Sequence, residues 1–323
     1  MRWLPALFAA ALVPALAVAL LPTCGAVQTQ TVLASEAVVV PFTQHGGHVV
    51  VDVFIGERGP YLFQVDTYAS IDACLDDDLA AELDLPVTGQ ARNSDGLTTS
   101  TRDLVTIPEL RLGDASFRDL RTLVDDYSWL GTRRGRPVQG LVGFTAFEDL
   151  LVTFDYPGSR LVLERGALAA DGPGVLPYTT ESGAPDVRLA VGERELELGI
   201  DTGFDGTLLL DLGLADELPL ATAPRKVGTA RVAYTTFDLH EARLLDALHI
   251  ADRPLHRLEV LFREGATQNL VGRGVLRHFA TTFDQRRQLV RFSRPGELAA
   301  VPAEGAASEG DGADEGGEDG GTR

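Results

Sequence analysis

Two acids in this chain are placed to do chemistry together. Asp66 closes the apolar run 61–65 and is followed by Thr67, and Asp201 closes the run 196–200 and is followed by Thr202 and Gly203. Two carboxylates held within hydrogen-bonding distance cannot both ionise cheaply, so they share a proton and titrate as a coupled pair. Such a pair supplies a base and an acid at one place. The ionised member takes a proton from a water, and the protonated member polarises a carbonyl.

The elements that must position the two acids occur twice. Val40-Pro41-Phe42-Thr43 returns as Leu176-Pro177-Tyr178-Thr179, and Gln64-Val65-Asp66-Thr67 returns as Gly199-Ile200-Asp201-Thr202. Gly140-Leu141-Val142-Gly143 is answered by Asn269-Leu270-Val271-Gly272, and strand pairs beginning at Phe154-Asp155 and Phe283-Asp284 close each half. Several anchors in one order at nearly constant offset indicate an internal duplication. Within each half the pattern is that of strands. Residues 49–55 are rich in β-branched side chains and run into the turn signal Gly56-Glu57-Arg58-Gly59-Pro60, before a second strand leads to Asp66. In the other half 187–191, a turn near Gly192 and 196–200 lead to Asp201. Only 76–83 and 145–150 read as helical, and residues 171–174, with Pro173, form the expected linker.

Paired acids inside a whole-length repeat, each with a downstream Leu-Val-Gly element, resemble the retropepsin-like and pepsin-like aspartic peptidase superfamily over roughly 38–294. The resemblance implies an all-β fold with two homologous barrel lobes facing each other across a cleft. It implies Asp66 and Asp201 as the catalytic pair, with Thr67 and Thr202 interlocking the two loops. Gly203 and Ser70 complete the support, Ser70 by a hydrogen bond to Asp66. Leu141-Val142-Gly143 and Leu270-Val271-Gly272 would cross behind the loops. Asp205 stands in the place matching Ser70, where a further acid would raise the pair's apparent pKa. Flap hairpins are expected in 93–103 and 227–236, the latter with Tyr234 toward the cleft. Asp201-Thr202-Gly203-Phe204 follows the family pattern, whereas Tyr68 stands where the family has glycine. Three uses of the fold follow: an aspartic endopeptidase, a catalytically degenerate peptide-binding protein, or a structural envelope protein. The implied partner is a peptide or protein substrate, and the chemistry requires no cofactor and no metal.

Composition sets the surroundings. The formal charge of -19 argues against nucleic acid as a partner. Residues 299–323 are mostly Gly, Ala, Ser and acid, which reads as a disordered acidic tail. Arg2, the apolar run 3–21 and the small residues around Ala26 give residues 1–26 the layout of a signal peptide. Retention as a membrane anchor, or lipidation at Cys24, stays open. Each of these readings puts the body outside the cytoplasm, in the periplasm, the cell envelope or the medium. The domain reading is a first lobe at 38–170 and a second at 175–296. Cys74 reads as a buried apolar residue rather than a nucleophile. His45 and His48 read as flanking a hairpin turn rather than as metal ligands. Arg133, Arg134 and Arg136 read as a solvated loop.

Overall fold

The computed structural model describes residues 29–45, 48–94, 99–133, 135–231, 236–295 and 297. The expected signal or anchor segment, Cys24, the Gly46-Gly47 turn, Arg134, Tyr234 and the acidic tail lie outside the described residues, as does the side chain of Arg133.

The chain is all-β and two-lobed, and its centre is a six-stranded antiparallel sheet to which both lobes contribute. The strand order is Ala37–Pro41, Arg160–Glu164, Leu151–Asp155, Ala280–Asp284, Leu289–Ser293 and Val175–Thr179. The two middle strands, LVTFD and ATTFD, are buried at every position. Here Thr153 pairs with Thr282, and their hydroxyls lie 2.8 Å apart, each satisfying the other away from water. The neighbouring rings of Phe154 and Phe283 meet edge to face at 6.0 Å. Burying a phenylalanine contributes about 1.5–3 kcal/mol, so these two rings stabilise the join between the lobes. The strand-ending acids are tied down locally. Asp155 accepts from Gly158 N at 2.9 Å and Arg160 Nε at 2.8 Å, and Asp284 accepts from Leu168 N at 2.9 Å.

On this base each lobe builds the same arrangement. In the first, His48–Ile55 and Arg58–Asp66 form a hairpin whose turn needs the left-handed backbone of Gly56, at φ 57°. Arg136–Gly143 then runs parallel to the second hairpin strand, with Leu141, Val142 and Gly143 opposite Gln64, Val65 and Asp66. Its other edge pairs antiparallel with Ala73–Asp76, which in turn runs parallel to Ala115–Asp125. The second lobe repeats each step. Asp186–Val191 and Arg194–Ile200 form the hairpin, and Leu270–Val271 lies parallel to Gly199 and Ile200. That short strand pairs antiparallel with Leu208–Asp211, which runs parallel to Glu259–Arg263. The Leu-Val-Gly elements thus cross behind the acid-bearing strands as expected. Glycine ends both because the following bend crosses another chain segment: a β-carbon at Gly272 would lie 2.5 Å from the carbonyl oxygen of Phe204.

Both expected flap intervals fall in hairpins, Val87–Ser94 with Thr99–Leu112 and Arg225–Arg231 with Thr236–Arg243. The first expected helix is present as Asp77–Glu82. The second is only a tight turn, Phe144–Phe147. It is held by i→i+3 bonds such as Glu148 N to Thr145 O at 3.1 Å, because the strand at Leu151 begins before an α-helix could complete.

Candidate active site

Asp66 is the last residue of its strand, and Asp201 directly follows Ile200 at the end of the matching strand. After each acid the chain makes the same bend. Ala69 N reaches back to Asp66 O and Phe204 N to Asp201 O, both at 3.4 Å. Each bend is then pinned from below, by Phe144 N to Ala69 O and by Arg273 N to Phe204 O, both at 2.9 Å. The carboxylates turn back onto their own bends. Asp66 Oδ1 accepts from Tyr68 N at 2.8 Å, and Asp201 Oδ1 accepts from Gly203 N at 2.7 Å.

The bends are locked to one another across the lobe boundary by four hydrogen bonds. Thr67 N donates to Thr202 Oγ1 at 3.0 Å, and Thr202 N donates to Thr67 Oγ1 at 3.1 Å. The same hydroxyls donate onward, Thr67 to Ile200 O at 2.6 Å and Thr202 to Val65 O at 2.9 Å. Both threonines are 1% exposed, so water cannot substitute for any of these partners. This interlock brings Asp66 and Asp201 together. A β-carbon at Gly203 would lie 2.5 Å from Asp66 Oδ2, while the Gly203 N–H holds Asp201. Both carboxylates therefore rest against one peptide unit, which leaves no space for a side chain there.

Burial raises the pKa of both acids. For Asp201 the shift is large, because the charge of Asp66 adds to the desolvation. For Asp66 the donors Tyr68 N, Ala69 N and Gln64 Nε2 pull the other way. Gly203 N and Phe204 N pull Asp201 down in the same way, so the two acids titrate as one coupled pair with both carboxyls above their ordinary range.

Several residues differ from the sequence expectation. Ser70 does not hydrogen-bond Asp66: it is exposed, and its Oγ faces Gly183 of the other lobe. The side chain next to Asp66 is instead Gln64, buried, with Nε2 at 3.5 Å from Oδ2. Its position two residues before the acid puts it on the acid's own face of the strand, and that periodicity could have marked it. Asp205 does not act on the pair as a free charge, because Arg273 Nε holds its carboxylate at 2.6 Å. Tyr68 keeps a negative φ and reaches across to Gly199, where a β-carbon would lie 2.6 Å from its ring. Burial pushes the thiol of Cys74 up to about 12, which makes it a poor nucleophile. Arg136 pairs with Asp52 at 2.7 Å, at the surface.

Two other features lie apart from the acids. A cavity of about 550 Å³ opens beside the first bend, lined by Ser70, Ile71, Asp72, Thr145, Glu148 and Asp149 among others, and neither Asp66 nor Asp201 lines it. Asp72 serves the fold there, accepting from Thr145 Oγ1 at 2.6 Å and Arg121 N at 2.9 Å. Asp76, Asp77 and Asp78 bring their carboxylates within 4.8 Å of one another at the start of the short helix. The side chain of Asp76 there binds Tyr127 N at 3.0 Å.

Comparison with known proteins gives three findings. Residues 51–146, which contain Asp66 and the Leu141-Val142-Gly143 element, match the aspartyl protease family. A search of curated proteins found no match. Among solved structures 382 chains match, one being basic 7S globulin from soybean, at 12% identity and a TM-score of 0.48 over 80% of this chain and 95% of that one.

Proposed function

Taking the chain as a member of the aspartic-peptidase-like superfamily, we propose that it is an endopeptidase hydrolysing peptide bonds between its lobes of residues 38–170 and 175–296. The observation that carries this reading is the reciprocal Thr67–Thr202 interlock, which holds the half-buried Asp66 and the buried Asp201 against the Gly203 peptide. In the proposed reaction Asp66 is ionised and Asp201 protonated. A water between them gives a proton to Asp66 as its oxygen attacks the scissile carbonyl. Asp201 gives its proton to the carbonyl oxygen, so the tetrahedral intermediate is a neutral diol. Collapse breaks the C–N bond, the amine takes the proton held by Asp66, and Asp201 regains its proton from the diol. Neither acid forms a bond to substrate carbon. Export from the cytoplasm belongs to the same proposal and rests on the sequence of residues 1–26.

A second reading is a peptide-binding protein without turnover. The observation favouring it is Tyr68, a large side chain at the position the family reserves for glycine. Incubating the purified protein with a diverse peptide library from pH 3 to 8, beside Asp66→Asn and Asp201→Asn, separates the two. Cleavage by the wild type alone supports the peptidase. Tight peptide binding by folded protein with no cleavage at any pH supports the binder and overturns the peptidase.

A further inference from the structure

The surroundings of the two acids are not equivalent, and the difference lies in four positions. Residues two before each acid share the acid's face of the strand, so Gln64 and Gly199 belong to the floor around the pair. Residues two after each acid are Tyr68 and Gly203. Across the lobe boundary these pair large with small. Gln64 Nε2 lies 3.0 Å from where a β-carbon of Gly203 would be, and the Tyr68 ring lies 2.6 Å from where a β-carbon of Gly199 would be. The ring therefore takes, beside Asp201, the space that a side chain at 199 would have used. Leu270 and Asp186 bound the same space, at 3.2 and 3.1 Å from that point. The Tyr68 hydroxyl is buried beside Ser182, and the ring itself lies against Gly199.

We propose that Tyr68 is a specificity-determining residue. Its ring fills the side-chain space on the second-lobe side of the acid pair and restricts the peptide residue seated there to a small side chain. The Gln64 side carries no such restriction. The inference rests on the reading of Asp66 and Asp201 as a substrate-binding centre and adds which substrates that centre accepts.

The test uses the full-length protein and a panel of peptides in which a reduced, uncleavable –CH₂–NH– unit replaces the scissile bond. The side chain on each side of that unit is varied in turn from Gly and Ala to Leu and Phe, and Kd is measured by calorimetry. The expected wild-type result is binding weaker by about tenfold or more for Leu or Phe than for Ala on one side only. Tyr68→Ala abolishes that discrimination, whereas Tyr68→Phe keeps it, since ring volume and not the hydroxyl sets the limit. An identical preference in wild type and Tyr68→Ala overturns the inference, and cleavage of natural peptides then leaves the peptidase reading standing. A loss of discrimination in Tyr68→Ala without cleavage of any peptide supports the inference and defeats the peptidase. If no peptide of the panel binds either protein, the inference and the reading beneath it fall together.

Discussion

Thr67 and Thr202 hold each other's lobes by the same two bonds in opposite directions, each hydroxyl accepting from the other's backbone N–H and donating to the carbonyl just before the other's acid. The contact is one of lobe on lobe, so its loss affects the placement of the acids before it affects either barrel. Thr67→Val keeps the shape and removes the hydroxyl, which takes away the acceptor of Thr202 N–H and the donor to Ile200 O. Leaving such groups buried and unmatched costs about 1–3 kcal/mol. The urea midpoint of Thr67→Val or Thr202→Val is expected to fall accordingly with an unchanged m-value. An unchanged midpoint would mean that the interlock is not maintained in solution.

The raised pKa of Asp201 makes stability depend on pH in a defined direction. Its ordinary value is 3.8, and in the fold it lies well above that. The folded state therefore holds this proton more tightly than the unfolded chain does. The resulting stabilisation is complete below the unfolded value and is lost as pH rises through the folded one. Asn at 201 cannot titrate and escapes that loss. Thermal unfolding of Asp201→Asn beside wild type is expected to give a small Tm difference at pH 3 and a higher Tm for the variant at pH 7. A variant less stable than wild type at pH 7 would contradict the assigned shift.

How much of this could be read from the chain follows from which features repeat. Asp66 and Asp201 were legible because each closes an apolar strand and precedes a threonine, a pattern that a one-dimensional string preserves. The Leu-Val-Gly strands were legible for the same reason. Ser70 and Asp205 were misread because equal offset from an acid does not give equal neighbours. Gly183 faces one of them and Arg273 holds the other, and neither neighbour is near in sequence. The match of Tyr68 to Gly199 was illegible because it is a complementarity of volume between distant residues in different lobes. In sequence it shows only as one missing glycine and one unremarked glycine.

Gly203 tests whether the two carboxylates really share one peptide as their support. A methyl group there would meet Asp66 Oδ2 at 2.5 Å and Cγ at 2.9 Å, so the carboxylate must move or the bend must open. Displacing a catalytic group by about 1 Å can cost on the order of 100-fold in rate. Gly203→Ala is therefore expected to lower kcat/KM for a cleaved peptide by about that factor. Overpacking of this kind also costs about 1–3 kcal/mol of stability. Activity within about twofold of wild type would show that Asp66 does not depend on this contact.

Gly199 offers the matching test on the other side, and there the two residues can be varied together. Gly199→Ala places a methyl group against the Tyr68 ring, at 2.6 Å from Cε2, with Asp186 Oδ1 and Leu270 Cδ2 at 3.1 and 3.2 Å from the same methyl. The expected cost in wild type is about 1–3 kcal/mol from forced displacement of the ring. In a Tyr68→Ala background the ring is gone and the same methyl meets only Asp186 Oδ1 and Leu270 Cδ2, at 3.1 and 3.2 Å, so most of the cost of Gly199→Ala should disappear. The coupling energy from the double-mutant cycle, measured by urea unfolding of all four proteins, then equals most of the single-mutant cost. Additive effects would place the ring away from Gly199 in solution and would leave the tolerance of a side chain at position 68 to the negative φ of its backbone alone.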